Sequence, residues 1–127
     1  MRLSIFLVCT GLLAGCGPEP PSIRDLKYSP NAALVGMQTT ISGSIAYTDN
    51  NNDISQSVVE LYAPNGSLIS MTPPTPIMNV GMGVVGTVSF DITMWTPDTV
   101  GIHHFQIYIN DLTGAQSNKL QGVIRVN

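Results

Sequence analysis

An all-β sandwich of about seven short strands is the fold this sequence predicts, and three observations predict it. Apolar side chains alternate with polar ones along residues 39–47, 84–94, 102–110 and 119–126, the pattern of a strand with one buried face. Clusters of Pro, Gly, Asn and Asp punctuate these runs at intervals of about ten residues, and no stretch of useful length repeats with a helical period. Charged residues make up only 10% of the chain, which is rich instead in Thr, Val and Ile, suited to a pleated sheet, and in Asn and Gly, suited to turns.

Ahead of the sandwich stands a short apolar run, Leu3 to Leu13, preceded by a single basic residue, Arg2. At about 1.5 Å per residue this run is too short for the roughly 30 Å of a bilayer core, so it reads as a cleavable export signal. Leu13-Ala14-Gly15-Cys16 closes the run with an aliphatic residue, two small ones and a cysteine. The tetrapeptide resembles the lipobox of bacterial lipoprotein precursors. That resemblance implies a signal peptide over 1–15 and acylation of Cys16 by fatty chains such as palmitate. Gly17 is not the Asp that, in lipoproteins of this kind, retains the protein in an inner membrane, so an outer membrane is expected where the cell has one.

Residues 16–22, with Pro18, Pro20 and Pro21, are the expected linker, an extended spacer that would hold the domain about 20 Å from the bilayer at about 3.1 Å per residue. Residues 23–127 remain for one domain, long enough to bury about two-thirds of its unfolded surface without a metal or disulfide. Cys9 leaves with the signal and Cys16 is acylated, so the domain has no thiol. In the mature chain expected from residue 16, four basic residues (Arg24, Lys27, Lys119, Arg125) face eight acids, giving 4 − 8 = −4 and arguing against nucleic acid or an anionic lipid surface as partner.

Residues 23–28 alternate loosely and form a first edge strand, ended by Ser29-Pro30-Asn31. Residues 39–47 bury Ile41, Gly43, Ile45 and Tyr47, and an Asn/Asp loop, 49–53, leads to a strand over 55–62. Ala63-Pro64-Asn65-Gly66 is a turn with Pro at its second position, and residues 67–71 complete the hairpin. Residues 72–82 carry Pro73, Pro74 and Pro76 and are irregular or a weak edge strand, with Met71, Met78 and Met82 as gap fillers. Residues 84–94 are a long strand burying Val84, Val88, Phe90, Ile92 and Met94. Residues 102–110 place His103, Phe105, Ile107 and Ile109 inward, and the last strand does the same with Leu120, Gly122, Ile124 and Val126.

The markers Gly36, Tyr47-Thr48-Asp49, Pro64-Asn65-Gly66 and Gly101-x-His103-x-Phe105-x-Ile107-x-Ile109-x-Asp111-x-x-Gly114-x-x-Ser117-Asn118 are set along one domain. From Pro21 to Val126 the chain resembles the bacterial immunoglobulin-like domains of exported and lipid-anchored proteins. The resemblance implies an immunoglobulin-like sandwich and no particular activity. Such domains often place a tyrosine two residues after the corner glycine. His103 stands there, so the corner hydrogen bond is either absent or made by an imidazole.

Two places could bind something. Asp49, Asn51 and Asp53 put oxygen donors at alternate positions of a tight loop, which suits calcium, although the same side chains can instead satisfy the loop's own backbone. His104 and Tyr108 share an outer sheet face, and the resemblance implies that Tyr62 lies beside them; flat amphipathic rings there suit a glycan or another envelope protein, although such a face is also ordinary half-wet surface. His103 and His104 leave opposite faces and cannot share a metal. No nucleophile motif, metalloprotease motif or phosphate-cradling loop is present, which leaves only an unrecognised dyad, such as Asp91 or Glu60 with a histidine, for an enzyme. The expected function is a non-catalytic binding or structural module on a lipid anchor in the bacterial envelope. The alternative is a calcium-dependent adhesion or carbohydrate-binding module using Asp49, Asn51 and Asp53 with Asp111.

Overall fold

The computed structural model describes residues 19–71, 75–76 and 84–127, so residues 1–15, expected as a signal peptide, and Cys16, Gly17, Pro18, Pro73, Pro74, Met78 and Met82 lie outside the described residues. The described chain is all strand and turn: β1 (Ser22–Ser29), β2 (Ala32–Ala33), β3 (Thr39–Thr48), β4 (Ile54–Tyr62), β5 (Leu68–Met71), β6 (Thr75–Pro76), β7 (Val85–Trp95), β8 (Gly101–Asp111) and β9 (Leu120–Val126). One sheet has the order β1-β3-β7; the other runs β2-β9-β8-β4-β5, with β6 also on β4. All pairings are antiparallel except β2 with β9. Seven of these strands match the expected ones. The two-residue β2 was not expected, because a pair of alanines after Pro30-Asn31 carries no alternation to read.

Period-two burial builds the core. Ile41, Ile45 and Tyr47 from β3 and Val88, Phe90 and Ile92 from β7 meet Val59, Leu61, Phe105, Ile107, Ile109, Ile124 and Val126 from the other sheet. Each such side chain contributes about 1.5–3 kcal/mol on leaving water. Phe105 is central, with Tyr28 edge-on at 4.9 Å and Phe90 tilted at 5.8 Å. Gly43 and Gly122 leave room for these rings, since a Cβ on Gly43 would overlap Phe90 and one on Gly122 would overlap Phe105.

The expected alternation fails at both ends of β7. Val84 lies before the strand and is exposed, and Met94 is 75% exposed with φ at 54°. Pairing with β3 slips between Thr39↔Trp95 and Ile41↔Ile92, so one extra residue bulges out at Met94 and Trp95 turns inward in its place. A second slip, at Asp25 (φ 56°) in β1, explains why Ile23, Leu26 and Tyr28 alternate only loosely.

The turn at residues 63–66 closes as its residues dictate. The Gly66 N–H donates to the Ala63 carbonyl at 2.8 Å, Gly66 takes φ 90°, and Asn65 Oδ1 accepts from the Ser67 N–H and hydroxyl. The linker differs from the expected spacer. Pro21 is buried, and Glu19 contacts the 49–53 loop through Asn50 and Asn51, so the last part of the linker is packed on the domain.

Candidate functional site

The 49–53 loop joins β3 to β4, and the turn after β8 (residues 111–115) lies beside it at the same end of the sandwich. Ile54 pairs with Asp111 in register, and the Asp53 carbonyl accepts the Leu112 N–H at 2.8 Å, which locks the two loops together. Asp49 is fully buried and organises its loop, with Oδ1 accepting the Asn51 N–H at 3.2 Å and Oδ2 the Asp53 N–H at 2.7 Å. Asp111 does the same for its turn, Oδ1 accepting from the Thr113 N–H (2.9 Å), the Thr113 hydroxyl (2.6 Å) and the Ala115 N–H (2.9 Å). Asp53 Oδ1 and Asp111 Oδ2 are buried without a hydrogen-bond partner.

The spacing-based calcium set is therefore gathered only in part. Asp49 and Asp53 lie together, but the Asn51 side chain turns to donate to the Glu19 carbonyl at 3.1 Å. Among the described residues, no three His, Cys, Asp or Glu side chains stand ready to hold one metal ion. Burial, then the charges of Asp111 and Asp49 and a hydrogen bond with the Asp49 carboxyl, push the Asp53 carboxyl above its ordinary range. Asp111, expected beside this loop in the calcium alternative, supplies this charge from 58 residues away in sequence, by 111 − 53.

The outer face of the larger sheet holds the second candidate. Cross-strand register aligns Leu68, Tyr62, His104 and Val123 in one row, about 14 Å across at about 4.8 Å per strand. The next row is Glu60, Gln106 and Gln121, and Val58 faces Tyr108 beyond it. Tyr62, His104 and Tyr108 thus share one face of this sheet. Tyr62 donates its hydroxyl proton to Glu60 Oε1 at 3.1 Å, while Lys119 Nζ lies 3.8 Å from the same oxygen and 5.0 Å from the Tyr108 ring centre. Burial, followed by Glu60, raises both Tyr62 and Tyr108 above the ordinary phenol range. Tyr62, Gly66, His104, Gln106 and Gln121 line an open depression of about 350 Å³.

The two histidines do not cooperate. His103 is fully buried against Trp95 (5.2 Å between ring centres), its Nδ1 lying 3.3 Å from the Gly101 carbonyl and its Nε2 without a partner. The corner contact is thus made by an imidazole. His104 sits across the sheet on the outer face, while Asp91 is exposed on the opposite sheet.

No family model and no curated protein matches the chain. Solved structures do resemble it. The sporulation control protein Spo0M of Bacillus subtilis aligns with a TM-score of 0.54 at 14% identity over 86% of this chain and 50% of that one. A Niemann-Pick type C2 protein from the Japanese carpenter ant gives 0.52 at 8% identity, covering 88% and 96%. The PKD domain of an M14-like peptidase from a Thermoplasmatales archaeon gives 0.51 at 17% identity, covering 87% and 98%. At such identities these likenesses establish the fold, an immunoglobulin-like β-sandwich, and nothing finer.

Proposed function

We propose that the chain is a lipid-anchored binding module of a bacterial envelope, held by acylated Cys16 in an outer membrane where one exists, and that it has no catalytic role. The observation that carries the reading is the tetrapeptide Leu13-Ala14-Gly15-Cys16, set at the end of a short apolar run and just before a linker that packs on the domain. Cys16 is three residues upstream of Glu19, hence at most about 11 Å from it. The end bearing the 49–53 loop then faces the bilayer. The outer sheet face and the opposite end, where Leu34, Val35, Met37 and Val100 are exposed, are left clear of it.

The recognition surface in this reading is the face bearing Tyr62, His104 and Tyr108. Glu60 and Lys119 hold the two phenols in place, and the amides of Gln106 and Gln121 beside them can hydrogen-bond glycan hydroxyls or an extended peptide. The non-catalytic part is supported by His103 lying in the core and by Glu60 being engaged with Tyr62 and Lys119.

Radiolabelled palmitate tests the anchor. The full-length protein should be labelled and fractionate with membranes, and Cys16→Ser should be unlabelled and soluble. Labelling that persists in Cys16→Ser removes the assignment.

A further inference from the structure

We propose that Asp53 and Asp111 form a seat for one calcium ion at the loop end of the sandwich. The seat does not depend on acylation of Cys16.

Asp111 is only 3% exposed, and its two oxygens are used unequally. Oδ1 is saturated by three donors from its own turn, while Oδ2 is buried and accepts nothing. Asp53 Oδ1 is in the same condition. A buried carboxylate oxygen without a donor is expensive, and two whose charges act on each other are more so. Asp49 adds a third negative charge to the cluster. No basic side chain offsets it, since the ion pairs among the described residues are Arg24 with Asp25 and Lys119 with Glu60.

A divalent cation resolves this imbalance better than a backbone rearrangement could. The loops are already fixed by the Leu112 to Asp53 hydrogen bond and the Ile54↔Asp111 register, so the two spare oxygens are held where they are. Asp49 contributes charge and loop shape, its own oxygens being taken by the Asn51 and Asp53 N–H groups. An all-oxygen donor set excludes a soft metal. Two carboxylates with the rest of the shell left to water and carbonyl oxygens suit a hard divalent cation, and two oxygens fixed by separate loops suit calcium, which tolerates irregular geometry, better than magnesium, which demands a near-ideal octahedron. With so few protein charges, affinity should fall in the range of extracellular modules, about 10⁻⁴–10⁻³ M.

The test is thermal melting of the full-length protein in non-ionic detergent, in excess chelator and in 10 mM calcium chloride. Calcium should raise the midpoint by about 4 °C or more. Asp53→Asn and Asp111→Asn should each abolish that rise, and Asp98→Asn, at the other end, should keep it. Asp53→Asn removes one of the repelling charges, so in chelator it should melt no lower than the parent, which shows that the variant is folded. Equal midpoints for the parent with chelator and with calcium would overturn the proposal, leaving a proton on the cluster as the source of neutrality. A calcium response that survives Asp53→Asn would overturn it as well.

Discussion

The side-chain amide of Asn118 hydrogen-bonds the main chain of Ile23 from both ends, Oδ1 accepting the N–H at 2.8 Å and Nδ2 donating to the carbonyl at 2.9 Å. One edge of β1 pairs with β3, so Asn118 acts as the neighbouring strand on the other. At the far end of the same strand the Tyr28 hydroxyl repeats the device, donating to the Val123 carbonyl at 2.8 Å and accepting its N–H at 2.9 Å. Two side chains thereby tie the smaller sheet to the larger one along an edge where no backbone ladder joins β1 to β9.

Asn118→Ala should destabilise the protein by about 1–3 kcal/mol, because both main-chain groups of Ile23 lose their partner together. Tyr28→Phe should cost about 1 kcal/mol, since the ring keeps its edge contact with Phe105 and only the hydroxyl is lost. Urea denaturation reads both, and an unchanged midpoint in Asn118→Ala would show that the tie is incidental.

Gly122→Ala and Gly43→Ala should each cost about 1–3 kcal/mol or more. Neither position needs a left-handed backbone; the added methyl collides with the ring of Phe105 or Phe90, and at Gly43 with the Lys27 carbonyl as well. Gly66→Ala, where a Cβ meets nothing but φ is 90°, should cost only the backbone conformation, about 1 kcal/mol. The order of the three midpoints distinguishes packing from backbone strain.

Met94→Asn should leave the protein as stable or more so, by up to about 1 kcal/mol. The side chain is 75% exposed, so little packing is lost, while its left-handed φ of 54° is tolerated better by Asn than by Met. A fall in stability would show that the bulge depends on the methionine side chain.

Stability should decline on the alkaline side of pH 10. Burial and the nearby Glu60 raise Tyr62 and Tyr108 above the ordinary phenol range. In the unfolded chain these phenols ionise first, so unfolding releases protons. The stabilisation is complete below pH 10 and is lost as pH rises through the folded values. Tyr62→Phe and Tyr108→Phe should each flatten the fall in melting midpoint between about pH 9 and 11. An unchanged slope in both would show that the phenols ionise alike in the two states.

Seven of the strands, their buried faces away from the ends of β7, and the turn at residues 63–66 were determined by the sequence alone. Alternation and turn chemistry act within a few residues, and one slip of register would turn Phe105, Ile107 and Ile109 out to water. The pairing of Tyr62 with His104 needed more than alternation, because a slip of two residues keeps every side chain on its own face; the sequence placed Tyr62 there only through the resemblance to immunoglobulin-like domains. Tertiary structure alone decided the rest. The bulge at Met94 puts Trp95 inside, Asn118 reaches Ile23, and Asp111 lies beside Asp53 while Asn51 turns to Glu19. These contacts join residues far apart in the chain or depend on one local reversal of the pleat. Their energy lies in burial and in charges brought close by other strands, and no local pattern of residues carries it.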